Sequence, residues 1–149
     1  MPRPARNVLF LCTGNSARSI MAEALLNHLG AGRFRAFSAG SHPKAAVHPH
    51  ALAQLQREGL PADGFRSKSW DEFAAPGAPP LDLVITVCDR AAAESCPFWP
   101  GAPARAHWSV DDPATVEGPP EAQARAFERA YRDLEQRIRR LVDAPDESG

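Results

Sequence analysis

The sequence has few cysteines, and none of them stands in a pairing pattern. Its three, Cys12, Cys88 and Cys96, form no CxxC pair and show no paired Cys/His spacing of the zinc kind. An odd number without such spacing argues against a secreted disulfide framework and against a structural metal site. His48 and His50 have no cysteine or acidic residue close by, so we do not expect them to bind metal. We expect reduced, reactive thiols in a cytoplasmic protein.

Long apolar runs and an excess of charge are also missing. The apolar run near the start, Val8 to Leu11, is too short for a signal peptide, and no segment approaches membrane-spanning length. The net charge of -1 gives no general attraction to nucleic acid or to a membrane, so any anion site must be local. No repeat, linker or low-complexity tract divides the 149 residues. We expect one domain over 1–149, with an ordered core of about 6–143.

Strand and helix patterns alternate along the chain. They predict a strand at Val8–Leu11, a helix from Ser19 to Leu29, a strand at 34–37, a helix from Pro49 to Glu58, a brief helix opened by the capping-box pattern Ser69-Trp-Asp-Glu72, a strand at Leu81–Val87, a weaker strand at 104–110 and a long amphipathic helix at 120–141. This alternation predicts an α/β fold with three layers, in which helices cover a four-stranded parallel sheet. Parallel sheets bind ligands beyond the carboxyl ends of their strands, and Cys12 follows such an end.

The segment Cys12-Thr-Gly-Asn-Ser-Ala-Arg18 places a thiol six residues before a guanidinium, between a strand and a helix. Backbone amides here have no helical partners and can point at one tetrahedral anion, with the positive end of the helix dipole behind them. Gly14 permits a close backbone approach, and the planar fork of Arg18 can hold two anion oxygens at once. The expected oxyanion-binding residues are Thr13, Gly14, Asn15, Ser16, Ala17, Arg18 and Ser19.

The same loop predicts a reactive Cys12. Helix N-termini and nearby cations lower the pKa of cysteine from about 8.5 to roughly 3.5–7.5, so we expect Cys12 to be a standing thiolate nucleophile. We expect Ser19 to donate a hydrogen bond to its sulfur and Asn15 to brace the loop from within. The alternative is a buried thiol at a strand end that packs as a small hydrophobe.

The segment from Val8 to Ser19 resembles the active-site loop of the low-molecular-weight protein tyrosine phosphatase superfamily, and specifically its thioredoxin-coupled arsenate reductase branch. The likeness continues over nearly the whole chain through Met21-Ala-Glu-Ala24, Phe37-Ser-Ala-Gly40, Val84-Ile-Thr-Val-Cys88, Cys96-Pro97, His107-Trp108 and Asp111-Asp-Pro113. It implies a phosphatase-like fold and a single catalytic domain that acts in arsenic detoxification.

Phosphate and arsenate have the same shape and charge, so the remaining cysteines decide between phosphatase and reductase. Reduction of As(V) to As(III) needs two electrons, which two thiols supply by forming a disulfide. The resemblance implies that Cys12 attacks arsenate, Cys88 attacks Cys12 and releases arsenite, and Cys96 then attacks Cys88. Thioredoxin would reduce the final disulfide, with glutathione and glutaredoxin or a mycothiol-type thiol as the alternative donor. No bound cofactor is implied. Taken alone, Cys88 is as typical of a core cysteine as of a redox thiol. Cys96, taken alone, is as typical of a passive loop residue as of a redox thiol.

Two rival functions stay open. One is a phosphomonoester hydrolase that uses the same loop. Superfamily members that act on phosphotyrosine have a second cysteine beside the loop arginine and an aromatic residue after the Asp-Pro pair, but these positions are Ala17 and Ala114 here. The other rival is a nucleic-acid or partner-binding module that uses the arginines between 125 and 140. Acidic residues alternate with those arginines, which favours a solvated face with local ion pairs.

Further residues take roles from the resemblance. Asp112, which precedes Pro113, matches the general-acid position and would protonate the leaving oxygen. We expect Asp111 to be a turn residue that hydrogen-bonds nearby backbone.

Some superfamily members bind potassium beside the loop through residues that match Asn15, Glu23 and Ser38. We expect the Lys68 ammonium to stand where that ion would sit, and therefore no dependence on potassium.

Overall fold

Strands and helices alternate in the computed structural model, which describes residues 5–44, 46–62, 64–88 and 103–143. The elements are β1 (Arg6–Leu11), α1 (Arg18–Leu29), β2 (Phe34–Ala39), α2 (Pro49–Arg57), α3 (Asp71–Ala74), β3 (Leu83–Thr86), β4 (Ala104–His107), a 3-10 turn (Pro113–Thr115) and α4 (Pro120–Asp143). The predicted order of elements is confirmed, and the bounds differ by one to three residues at most ends. None of the helices in those ranges is long and apolar enough to cross a membrane.

The four strands form one parallel sheet, as predicted, and their order is β2-β1-β3-β4. At the carboxyl end of β1, Leu11 pairs with Ala39 of β2 and with Thr86 of β3. The Val87 amide donates to the Leu11 carbonyl oxygen at 2.8 Å, so the alignment continues beyond β3. The residues that follow these three strands therefore meet at one edge of the sheet.

Side chains of β1 alternate between two cores, because successive residues of a strand point to opposite faces. Val8 and Phe10 belong to the larger core, which α1, α2 and α4 complete. Leu9 and Leu11 face a smaller core that includes Phe73 of α3. Complete burial of a side chain such as Phe10 contributes about 1.5–3 kcal/mol. The sheet thus lies between two helical layers, which confirms the predicted three-layer architecture.

The short helix α3 begins differently from the capping box predicted for it. Ser69 Oγ accepts from the Asp71 amide at 3.1 Å, but the Glu72 carboxylate does not return to the start of the helix. Arg66 holds it instead, with a hydrogen bond of 2.9 Å from one guanidinium nitrogen. An ion pair to a neighbouring segment has replaced the reciprocal bond of the box.

Helix α4 is amphipathic, as its periodicity predicts. Its buried residues are Ala126, Phe127, Ala130, Tyr131, Leu134 and Ile138. On the other face, Arg137 pairs with Asp133 at 2.8 Å and Arg139 pairs with Glu135 at 3.4 Å. Such pairs contribute about 0.3–0.5 kcal/mol each. These two arginines therefore form the local ion pairs that the sequence predicts.

Candidate active site

The oxyanion loop, residues 12–18, lies between the end of β1 and the start of α1. Cys12 follows β1 directly, is only 5% exposed, and donates its amide to the Ala39 carbonyl at 3.2 Å. Ala17 precedes α1, and no side chain caps the helix there. Because the first amides of a helix have no partner within it, they stay available to a ligand.

A neighbouring stretch of chain turns the carbonyl groups of the loop outward. This flanking segment, residues 41–44 and 46–48, donates three backbone hydrogen bonds to the loop: from His42 to the carbonyl of Thr13 at 2.9 Å, from Lys44 to that of Gly14 at 3.0 Å, and from His48 to that of Ser16 at 2.8 Å. The amide of Gly14 points the other way and donates to the Cys12 sulfur. The loop therefore presents N–H groups toward the thiol and carbonyl groups toward the flanking segment.

Asn15 braces the loop, as predicted. It is fully buried and has a φ of 45°, in the left-handed region that asparagine tolerates better than most residues. Its Nδ2 donates to Ser19 Oγ at 2.9 Å, and its Oδ1 accepts from the Lys68 amide at 2.9 Å. Within the described part of the chain, Ser19 does not form the hydrogen bond that we expected with the Cys12 sulfur. The Ser19 hydroxyl contacts Asn15 instead.

Gly40, at the end of β2, is a functional residue whose role the sequence did not reveal. A Cβ at this position would lie 2.6 Å from the Cys12 carbonyl oxygen and 2.5 Å from that of Thr13. Only glycine allows the chain after β2 to come so close to the loop backbone. The contact joins segments that are distant in sequence, so residue spacing could not indicate it.

Arg18 connects the oxyanion loop to the segment before the 3-10 turn. Its Nη1 donates to the Val110 carbonyl at 2.8 Å, and its Nη2 lies 3.5 Å from Asp112 Oδ2. Its Nε is buried without a hydrogen-bond partner among the described residues. A buried donor without a partner costs about 1–3 kcal/mol. An anion that accepts from this nitrogen would recover that free energy.

The second thiol of the predicted relay lies beside the first. Cys88 is 3% exposed, and its thiol is hydrogen-bonded with that of Cys12; both cysteines are free of disulfide bonds. The amide and the hydroxyl of Thr13 lie 3.4 Å and 3.5 Å from the Cys88 sulfur. Cys96 lies outside the described residues.

The expected lowering of the Cys12 pKa is wrong for this arrangement. The hydrogen bond with Cys88 and then burial raise the pKa of Cys12, and together they exceed the lowering by the Arg18 charge and the Gly14 amide. The loop sequence does not contain the second thiol, which lies just after β3. This arrangement favours the protonated thiol of Cys12 over its thiolate, and a change in the Cys88 contact would remove the largest cause of that shift.

Asp112, the predicted general acid, faces the guanidinium of the loop. Its Oδ1 accepts from the Ala114 amide at 3.0 Å and caps the 3-10 turn, while its Oδ2 faces Arg18. Its side chain is 37% exposed, so a proton can reach it from solvent. Asp111 is exposed and makes no hydrogen bond within the described ranges. The turn role expected of Asp111 therefore belongs to Asp112, because only the residue next to Pro113 can cap the turn that follows.

Glu23 of α1 carries a half-buried carboxyl group. Burial raises the pKa of Glu23, against the lowering by the Ser38 hydroxyl, which donates to it, and by the charge of Lys68. Burial also lowers the pKa of Lys68, which the Glu23 charge opposes. The Lys68 ammonium donates to the Arg66 carbonyl at 3.2 Å. The charges of Lys68 and Glu23 therefore act on each other. That the ammonium stands where potassium would sit stays a prediction.

His48 and His50 have packing roles. The Nδ1 atom of His48 accepts from the His50 amide at 3.1 Å and caps α2. Both rings pack against Phe127 of α4 in tilted orientations, with centroids 4.7 Å and 5.5 Å from the centroid of its ring. Within the described ranges, no group of three or more His, Cys, Asp or Glu side chains is arranged to hold a metal ion.

The fold and this loop have counterparts among known proteins. Residues 7–148 match the model of a family described as low molecular weight phosphotyrosine protein phosphatase. The chain belongs to this family. An arsenate reductase from Bacillus licheniformis is 36% identical over 139 residues, which cover 93% of this chain and 96% of the relative.

Two solved structures are similar over most of the chain. The crystal structure of an arsenate reductase from Archaeoglobus fulgidus has a TM-score of 0.72 and 31% identity, and the match covers 92% of this chain and 99% of that one. A thioredoxin-dependent arsenate reductase from Corynebacterium glutamicum has a TM-score of 0.70 and 27% identity, and the match covers 95% of this chain and 62% of that one.

Proposed function

We propose that this chain reduces arsenate to arsenite by a thiol relay that begins at Cys12. The observation that carries the proposal is the hydrogen-bonded pair of thiols, Cys12 and Cys88, inside an oxyanion loop. A phosphatase needs one thiol and an acid, whereas a reductase needs two thiols within bonding reach. The names of the similar proteins support the same conclusion.

The first step is attack of the Cys12 sulfur on arsenic. The bound arsenate takes the proton of the Cys12 thiol, a sulfur–arsenic bond forms, an arsenic–oxygen bond breaks, and the departing hydroxyl group takes the proton of Asp112 and leaves as water. The Nε and Nη2 atoms of Arg18, together with the loop amides, hold the other oxygens of arsenate. The orphaned Nε supports this role, because the anion supplies the acceptor that the described residues do not provide.

The second step is attack of Cys88 on the Cys12 sulfur. A disulfide forms between the two cysteines, the sulfur–arsenic bond breaks, and its electron pair stays on arsenic, which is released as As(III). The Thr13 amide, 3.4 Å from the Cys88 sulfur, favours negative charge on the attacking atom. The contact between the thiols supports the step, since the attacking sulfur needs little movement.

The third step regenerates Cys12 through Cys96, which attacks the Cys88 sulfur and forms a disulfide with it. The assignment of Cys96 depends on the resemblance of the sequence. Thioredoxin is the proposed donor, supported by the thioredoxin-dependent relative. A cytoplasmic setting fits this chemistry, because thiols persist there in the reduced form. Glutathione with glutaredoxin, or a mycothiol-type thiol, is the alternative donor.

Arsenate turnover with thioredoxin, thioredoxin reductase and NADPH tests the proposal. We expect activity in the wild type and loss of steady-state turnover in Cys12→Ser, Cys88→Ser and Cys96→Ser. Full activity of Cys88→Ser would remove the relay. Hydrolysis of an aryl phosphate much faster than arsenate reduction would favour the phosphatase alternative. Turnover with glutaredoxin and glutathione, but not with thioredoxin, would replace the donor.

A further inference from the structure

Lys44 lies against the oxyanion loop from the flanking segment. Its amide donates to the Gly14 carbonyl at 3.0 Å. Its Cγ, Cδ and Cε atoms lie 3.3, 3.4 and 3.2 Å from the point where a Cβ of Gly14 would stand. The aliphatic part of the side chain therefore covers Gly14, and the absence of a side chain there makes the contact possible.

The ammonium group of Lys44 is exposed and makes no hydrogen bond or ion pair in the part of the chain that the structure describes. Its charge lowers the pKa of His48, after the larger effects of burial and of His50, while Asp112 opposes it. The backbone of His48 donates to the Ser16 carbonyl of the same loop. An unpaired positive charge therefore lies beside the oxyanion loop.

We propose that Lys44 determines specificity at this site by holding the outward oxygen of a free tetrahedral oxyanion. Attack by Cys12 requires the leaving oxygen to lie opposite the sulfur, on the open side of the loop. In an inorganic oxyanion that atom is a charged or hydroxyl oxygen, which an ammonium can bind. In a phosphomonoester the same atom carries an organic group and no charge. Lys44 thus favours inorganic arsenate over an ester, and this inference rests on the proposed function for its substrate.

Anion protection of Cys12 tests the inference without turnover. Cys12 is alkylated with iodoacetamide at increasing concentrations of inorganic phosphate, which has the shape and charge of arsenate, and its peptide is quantified by mass spectrometry. Phenyl phosphate is the ester probe. We expect Lys44→Gln to raise the half-protecting concentration of phosphate about fivefold, as for loss of one exposed ion pair. In Lys44→Arg the half-protecting concentration of phosphate should stay near the wild-type value. In Lys44→Gln the half-protecting concentration of phenyl phosphate should not change.

Arg140→Gln is the control for net charge. Arg140 is exposed in the last turn of α4. This end of the helix lies at the opposite edge of the sheet, since Arg33, just before β2, donates to the Val142 carbonyl at 2.7 Å. The inference would be overturned by an unchanged half-protecting concentration of phosphate in Lys44→Gln. It would also be overturned if that concentration rose equally for phosphate and phenyl phosphate, or equally in Arg140→Gln. A protein that binds phosphate in this way but reduces no arsenate would refute the proposed function alone.

Lysine labelling gives a second readout in the unmodified protein. The sequence contains two lysines, Lys44 and Lys68. Saturating phosphate should slow acetylation of Lys44 by an N-hydroxysuccinimide ester, with the Lys68 peptide as the internal reference. Equal labelling of Lys44 with and without phosphate would contradict a contact between its ammonium and the anion.

Discussion

Replacement of Gly40 by alanine should damage the active site far more than the fold. The new Cβ would stand 2.5 Å from the Thr13 carbonyl oxygen and 2.6 Å from that of Cys12, whereas Cβ atoms essentially never approach other atoms within 3.0 Å. The chain after β2 and the oxyanion loop must therefore separate by about 0.5 Å or more, which is the tolerance of a functional site. A misplacement of about 1 Å can cost about 10²-fold in rate, so we expect kcat/KM for arsenate to fall roughly tenfold to hundredfold.

Gly59→Ala is the matched control for this prediction. Gly59 has a φ of 75°, so alanine is strained there, but apart from Gly59 and its two chain neighbours no atom of the described residues lies within 4 Å of the added Cβ. Both variants should lose stability, and only Gly40→Ala should lose activity per folded molecule. The assay is kcat/KM below both melting temperatures, together with protection of Cys12 by phosphate. Equal kcat/KM in the two variants would refute the proposed dependence of the loop geometry on Gly40.

Three further predictions concern the surroundings of the loop. Removal of the Cys88 thiol in Cys88→Ala should lower the pKa of Cys12, so the midpoint of the pH dependence of its alkylation rate should move to lower pH. An unchanged or higher midpoint would contradict the assignment of the raised pKa to the Cys88 thiol. Asp112→Asn should slow arsenate turnover by roughly 10²-fold or more while Cys12 stays reactive toward iodoacetamide, and unaltered turnover would exclude Asp112 as the acid. Activity in potassium and sodium salts of equal ionic strength should be the same, and stimulation by potassium would argue against the role of Lys68.

The fold could be predicted because its determinants are local. The apolar run at β1, the β-branched segment at β3 and the period of α4 each indicate an element within a few residues of its true ends. Alternation of these elements then predicts a parallel sheet. The start of α3 differs from the predicted capping box because Arg66, just before the helix, takes the carboxylate that the box would have used.

The chemistry of the loop could be predicted only in part. The positions of Arg18 and Asn15 follow from the loop sequence itself. The pKa of Cys12 does not follow from the loop sequence, because the largest cause of its rise is the Cys88 thiol, which lies just after β3. The contacts of Gly40 and Lys44 depend in the same way on the folded arrangement of separate segments, and no spacing in the sequence expresses them.

A single turnover without reductant tests the central claim most directly. Reduced Cys96→Ser protein is mixed with one equivalent of arsenate, arsenite is quantified, and the disulfides are mapped by mass spectrometry of unreduced peptides. We expect about one arsenite per protein together with a disulfide between Cys12 and Cys88, by the two-electron stoichiometry of thiol oxidation. Arsenite formed while both thiols can still be alkylated would contradict the relay, as would the absence of arsenite from fully reduced, folded protein.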